Sequence, residues 1–186
     1  MRTYENGLSK EFCNELMYWG MSYVFARGDI HPLGFPNPVV TKTNRSWQPH
    51  IIKDSKPVFI YELHDDLKEK LKVELTSLGI FNPDTMSHLS AMVYIWTPGS
   101  YIPLHEDGFA ETDRQVMTAY LNETWGVEKG GLFLYLDKND DSWKVLIPHQ
   151  GFLVYNDKNE LHCTTPVNEG DLRGSLQIFI FNKKNA

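Results

Sequence analysis

The sequence predicts a mainly β fold, a sandwich, barrel or jelly roll, with helices confined to its N-terminal part. Three observations carry this expectation. From residue 88 onward the chain breaks into short runs rich in β-branched, aromatic and aliphatic residues: HLSAMVYIWT, RQVMTAYLN, GGLFLYL, SWKVLI, GFLVYN and RGSLQIFIF. Turn chemistry such as PGS, KNDD and NEGD separates them. Helical periodicity is confined to the residues before 88. With 186 residues, 41% of them hydrophobic and 13% aromatic, the chain is long enough to bury one full core. The expected organisation is one domain over 1–186, with a helical and lid-like part over 1–87 and a β core over 88–182.

In chain order, Ser9 is the expected N-cap of a first helix whose apolar face is Phe12, Leu16 and Trp19. Asp65 or Asp66 is expected to cap a second helix with the stripe Leu67, Leu71, Leu75 and Leu78, stopped by Gly79. Between them, residues 31–57 contain HPLGFPNP, SWQP and KP, an irregular or edge segment of a length often found in lids and binding loops. Trp47 and Phe35 give that segment aromatic side chains to lay over a peptide. The strands then follow without repeats or low-complexity tracts.

Charge and cysteine content exclude several classes. The net charge is −6 and no long basic run occurs, which disfavours a nucleic-acid partner held by phosphate contacts. Cys13 and Cys163 stand far apart in no paired motif, as in a reducing compartment. The start, MRTYENGLSKEFCNEL, has no apolar stretch that could serve as a secretory signal, and no run approaches 18 apolar residues. A cytoplasmic location away from membranes is expected.

The chemistry concentrates around YIPLHEDG, residues 101–108. On a strand, His105 and Asp107 share a face, either as a hydrogen-bonded pair or as two metal ligands. His162 stands out among the seven histidines, because it follows the strong strand GFLVY and the turn-like NDKNE. Two His and one carboxylate on one face of a metal make the facial triad of non-haem Fe(II) oxygenases, which leaves positions open for a cosubstrate and O2. In RGSLQIFIF, period two places Arg173, Ser175, Gln177 and Phe179 on one face and Leu176, Ile178 and Ile180 on the other. The polar face meets either solvent or a polar cavity; in a cavity, the planar Arg fork fits a carboxylate. Glu106 should point away from the pair. Trp125 is read as a core or rim aromatic, Cys163 as packing on the face opposite His162, and His149 as a turn histidine.

Taken together, AMVYIWTPGSYIPLHED, TAYLNETW, GGLFLYL, GFLVYN ahead of ELH, and RGSLQIFIF resemble the 2-oxoglutarate- and Fe(II)-dependent oxygenase superfamily, in its prolyl 4-hydroxylase-like branch. The resemblance covers roughly residues 88–182. It implies a double-stranded β-helix (a cupin-like jelly roll) with helices on its outer face. It implies that His105, Asp107 and His162 bind iron, and that Arg173 binds the distal carboxylate of 2-oxoglutarate with Ser175 beside it. Tyr120 matches a tyrosine that donates to the same carboxylate, and Tyr101 and Tyr94 are further candidates for the pocket wall.

The implied activity is a dioxygenase that uses Fe(II), 2-oxoglutarate and O2, with ascorbate as supporting reductant, and hydroxylates a prolyl residue in a peptide or protein. Succinate would be the coproduct. Two features depart from relatives. Arg173 stands where many collagen-type enzymes carry lysine, and Leu132 and Phe133 follow the Gly-Gly turn in place of Glu-Leu. The alternatives are the same chemistry on a free amino acid or small metabolite, and a metal-binding jelly roll without oxygenase activity, including a zinc hydrolase.

Overall fold

The computed structural model describes residues 1–26, 58–107, 114–156, 160–168, 170 and 172–183. The segment 31–57, expected as a lid or edge, lies outside the described residues. The elements run β1 (Arg2–Tyr4), α1 (Lys10–Ala26), β2 (Val58–Glu62), α2 (Asp65–Ser77), β3 (Met86–Trp96), β4 (Ile102–His105) and β5 (Arg114–Tyr120). After a short 3-10 turn come β6 (Phe133–Asp137), β7 (Ser142–Leu146), β8 (Leu153–Tyr155), β9 (His162–Thr164) and β10 (Arg173–Asn182). No described helix is long and apolar enough to cross a membrane.

The strands form two antiparallel sheets of a jelly roll, one ordered β1-β8-β5-β10-β3-β2 and the other β4-β9-β6-β7. Alternation along the strands assigns each side chain to one of two spaces. On β3 and β10, Leu89, Ala91, Val93, Ile95, Leu176, Ile178 and Ile180 face outward into a core shared with the helices. The intervening Met92, Tyr94, Trp96, Arg173, Gln177 and Phe179 face inward, toward the second sheet, and line a cavity. A one-residue slip in register would exchange these two sets.

Both helices pack against β3. Ser9 caps α1, its hydroxyl accepting the Phe12 N–H at 3.2 Å, and Phe12, Cys13 and Leu16 are buried. A Cβ on Gly174 of β10 would come within 2.4 Å of Met17 Sδ of α1, so the methionine side chain would have to shift. In α2, Leu67, Leu71 and Leu75 are buried, each contributing roughly 1.5–3 kcal/mol by leaving water.

Several expectations are corrected. The N-cap of α2 is His64, and Asp65 and Asp66 already lie in the first turn, where their charge favours the helix dipole. Leu78 is the C-cap and is 36% exposed. Gly79 then turns the chain at φ +69°, and the N–H groups of Ile80 and Phe81 both reach back to the Leu75 carbonyl. Those two side chains are buried in place of Leu78. β1 and β2 were absent from the sequence reading. β1 has only three residues, and β2 is the edge strand paired to β3 just after the proline-rich segment.

Candidate functional site

β4 and β9 pair so that His105 lies directly opposite His162, with 4.4 Å between ring centroids. β4 ends at His105, so Asp107 is not on the strand as expected; it lies two residues past the strand end. Its side chain still turns back to the pair: Oδ1 is 3.7 Å from His105 Nε2, and Oδ2 is 3.7 Å from His162 Nε2. One ligand atom from each of the three residues falls within 4.8 Å of the others. Glu106 points away, with Oε1 3.9 Å from Lys138 Nζ and its side chain half exposed.

Backbone geometry prepares both imidazoles as ligands. His105 Nδ1 lies 2.8 Å from the Pro103 carbonyl and His162 Nδ1 lies 2.8 Å from the Glu160 carbonyl. A carbonyl only accepts, so each Nδ1 carries the proton and each Nε2 presents a lone pair to the cluster. Burial, reinforced by the neighbouring His162, holds His105 below the ordinary histidine pKa and so favours its neutral, ligating form. Asn156 donates to Asp107 Oδ2 at 2.9 Å. Two neutral imidazole nitrogens and one carboxylate oxygen suit Fe(II), so the donor set fits the metal the resemblance implies.

Arg173, at the start of β10, is 1% exposed. Its guanidinium carbon lies 5.1 Å from the ring centroids of both Trp96 and Tyr120. Its three guanidinium nitrogens and the Tyr120 hydroxyl make no well-formed hydrogen bond among the described residues, although the two groups lie close enough to interact with each other. Burial lowers the Arg173 pKa to about 10, and burial raises that of Tyr120 to about 12, so the pair is a cation beside a neutral hydroxyl donor. A buried cation and a buried donor without acceptors are costly to leave alone. One carboxylate placed between them would satisfy both, which is the fit that a dicarboxylate such as 2-oxoglutarate offers. Gly131, at φ +58°, packs against this arginine; a Cβ there would lie 2.6 Å from Arg173 Cδ.

The metal cluster and Arg173 open into one cavity of about 330 Å³. Tyr94 also lines it, and burial with the Asp107 charge pushes its phenol well above the ordinary range, keeping it a donor. Ser175 is fully buried, and its hydroxyl accepts the Trp96 indole N–H at 2.9 Å. That bond sets the angle of the indole beneath Arg173. Tyr101 is half-buried and is not one of the cavity-lining residues. Trp125 is buried and donates to the Gly130 carbonyl at 2.8 Å, and His149 is exposed. Sequence reading missed Trp96 and Asn156, although both end strands it had recognised. Their partners, Ser175 and Asp107, are distant in sequence, so nothing local marked them. Arg114, Val116 and Thr118 of β5 and Phe181 of β10 complete the outer part of the cavity.

No family model matches this sequence, and no curated protein matches it. Solved structures do resemble it. A prolyl-4-hydroxylase from Pseudomonas putida superposes with a TM-score of 0.67 at 16% identity, covering 98% of this chain and 92% of that one. A prolyl hydroxylase from Trichoplax adhaerens, in complex with a hypoxia inducible factor oxygen degradation domain peptide fragment, gives a TM-score of 0.63 at 15% identity over 97% and 83%. HygX from Streptomyces hygroscopicus, with nickel and 2-oxoglutarate bound, gives 0.62 at 11% identity over 96% and 81%. What the chain shares with all three is the fold, the double-stranded β-helix of 2-oxoglutarate/Fe(II) oxygenases, in the form also found in prolyl hydroxylases.

Proposed function

We propose that the protein is an Fe(II)- and 2-oxoglutarate-dependent dioxygenase in which His105, Asp107 and His162 hold the metal. The observation that carries the proposal is the pairing, in one cavity, of that cluster with the buried Arg173, whose guanidinium has no hydrogen-bond acceptor among the described residues and lies beside the buried Tyr120. A zinc hydrolase has no use for such a carboxylate clamp beside its metal. When bound, Fe(II) supplies O2 activation coupled to decarboxylation of 2-oxoglutarate to succinate.

The chain's own part is to orient and to exclude water. Arg173 and Tyr120 take the distal carboxylate, and Ser175 holds the Trp96 indole N–H beside the guanidinium. Tyr94, protonated and facing the cavity, is a further donor to the cosubstrate. Met92, Phe179 and Phe181 give the remaining wall apolar surface beside the polar Arg114, Thr118 and Gln177, and the likeness to prolyl hydroxylases supports a prolyl residue of a peptide as the substrate.

The test is succinate release from 2-oxoglutarate with Fe(II) and ascorbate, in wild type and in Arg173→Ala. Turnover in wild type that is lost in the variant and partly recovered at high 2-oxoglutarate is expected. Failure of the metal-loaded wild type to bind 2-oxoglutarate in a direct titration would overturn the reading. For the substrate, proline-containing peptides should gain one oxygen atom for each succinate formed. Oxygen gained by free amino acids and never by peptides would redirect the assignment to a small-molecule enzyme.

A further inference from the structure

We propose that Asn156 is a positioning residue that joins two of the metal ligands, tying down one oxygen of Asp107 while holding the backbone of Glu160, two residues before His162. The proposal rests on the reading of His105, Asp107 and His162 as ligands.

Asn156 directly follows β8, and its backbone N–H still bonds the Val116 carbonyl at 3.2 Å, so the sheet fixes where its side chain starts. Its carboxamide is then held at both ends. Nδ2 donates to Asp107 Oδ2 at 2.9 Å, and Oδ1 accepts the Glu160 N–H at 2.9 Å. The orientation is forced, because a backbone N–H only donates and an ionised carboxylate only accepts. The Glu160 carbonyl in turn accepts His162 Nδ1–H at 2.8 Å. Glu160 is fully buried, its carboxylate meeting the Met1 ammonium at 2.5 Å, so this link of the chain is itself anchored.

Hydrogen bonds therefore run from Asp107 through Asn156 and Glu160 to His162, connecting ligands that sit 55 positions apart in the chain (162 − 107). The consequence for Asp107 is specific. A free carboxylate can turn either oxygen, or both, toward a cation. With one lone pair of Oδ2 engaged by an amide donor, Oδ1 is the less encumbered oxygen, and a cation would be favoured to bind through it. Loss of such an outer partner typically weakens metal binding by about 10–100-fold.

Two variants separate positioning of Asp107 from plain support of the Glu160 backbone. Asn156→Ala removes both bonds. Asn156→Asp is isosteric and keeps an acceptor for the Glu160 N–H, but sets an acceptor against Asp107 where a donor stood. The full chain is titrated with Mn(II) and with Co(II), whose visible absorption reports coordination number, and the metal-free protein is melted in parallel. Expected are Mn(II) binding weakened about 10–100-fold in Asn156→Ala and a Co(II) spectrum altered in both variants. A wild-type spectrum and wild-type affinity in Asn156→Asp would overturn the proposal, since the bond from the Glu160 N–H alone would then suffice. Failure of both variants to fold would overturn it too, by making Asn156 structural. If the wild type itself takes up neither ion, it is the metal assignment that falls.

Discussion

Arg173 and Trp96 are direct partners across β10 and β3, and the guanidinium carbon lies 5.1 Å from the indole ring centroid. The contact is a desolvated cation–π pair, and Ser175 fixes the ring plane. Trp96→Leu should weaken 2-oxoglutarate binding by about 5–30-fold, the equivalent of roughly 1–2 kcal/mol. Calorimetric titration of the Mn(II)-loaded protein measures it. An unchanged affinity would show that the indole only fills space.

Removing the cation altogether should act in opposite directions on stability and binding. Arg173→Met leaves no buried charge without an acceptor, so the ligand-free protein should melt higher, by on the order of 1 kcal/mol of stability. Binding of 2-oxoglutarate should disappear. A variant less stable than wild type would mean that the arginine has a structural partner.

The pH dependence follows from the same residue. Burial holds Arg173 at about 10, below the ordinary arginine range, so the unfolded chain binds that proton more tightly than the folded one. Its contribution to stability is therefore unfavourable at all pH below about 10 and is progressively relieved as pH rises above it. Tyr120, raised to about 12, remains a donor over most of that range. Affinity of the metal-free protein for 2-oxoglutarate, read as a ligand-induced rise in melting temperature, should be level from neutral pH and fall as pH passes about 10. A fall beginning near neutrality would identify a different titrating group.

Gly131 tests the packing behind the clamp. Alanine there would carry a Cβ 2.6 Å from Arg173 Cδ at a φ of +58°, so both the backbone and the arginine must shift. Gly131→Ala should lose about 1–3 kcal/mol of stability and weaken 2-oxoglutarate binding, with Mn(II) affinity retained. Loss of Mn(II) binding as well would show that the disturbance spreads to the histidines.

The ligand cluster itself is checked without activity. His105→Ala, Asp107→Ala and His162→Ala should each abolish the Mn(II)-induced rise in melting temperature, while the metal-free proteins remain folded and keep the Arg173 pocket. An undiminished Mn(II) shift in any one of them would remove that residue from the metal site.

Much of this was legible in the chain because its signals are local. Period two along RGSLQIFIF already separates Arg173 from Leu176 and Ile178, and that separation is the division between cavity and core. Leucine spacing revealed α2, but its ends depended on which residue first adopts helical dihedrals, so His64 displaced the aspartates as cap and Ile80 and Phe81 took the place of Leu78. β1 is too short for periodicity to register, and β2 owes its place to β3 beside it.

The sequence by itself determined the elements and the residue types on each strand face, because backbone sterics and side-chain alternation act over a few residues. Only the tertiary structure decided that His105 stands opposite His162, that Asp107 turns back to them from beyond its strand, and that Arg173 is buried between Trp96 and Tyr120 without an acceptor. Those relations depend on the register between strands distant in the chain and on water being excluded from the space they enclose. Neither property belongs to any local stretch of sequence.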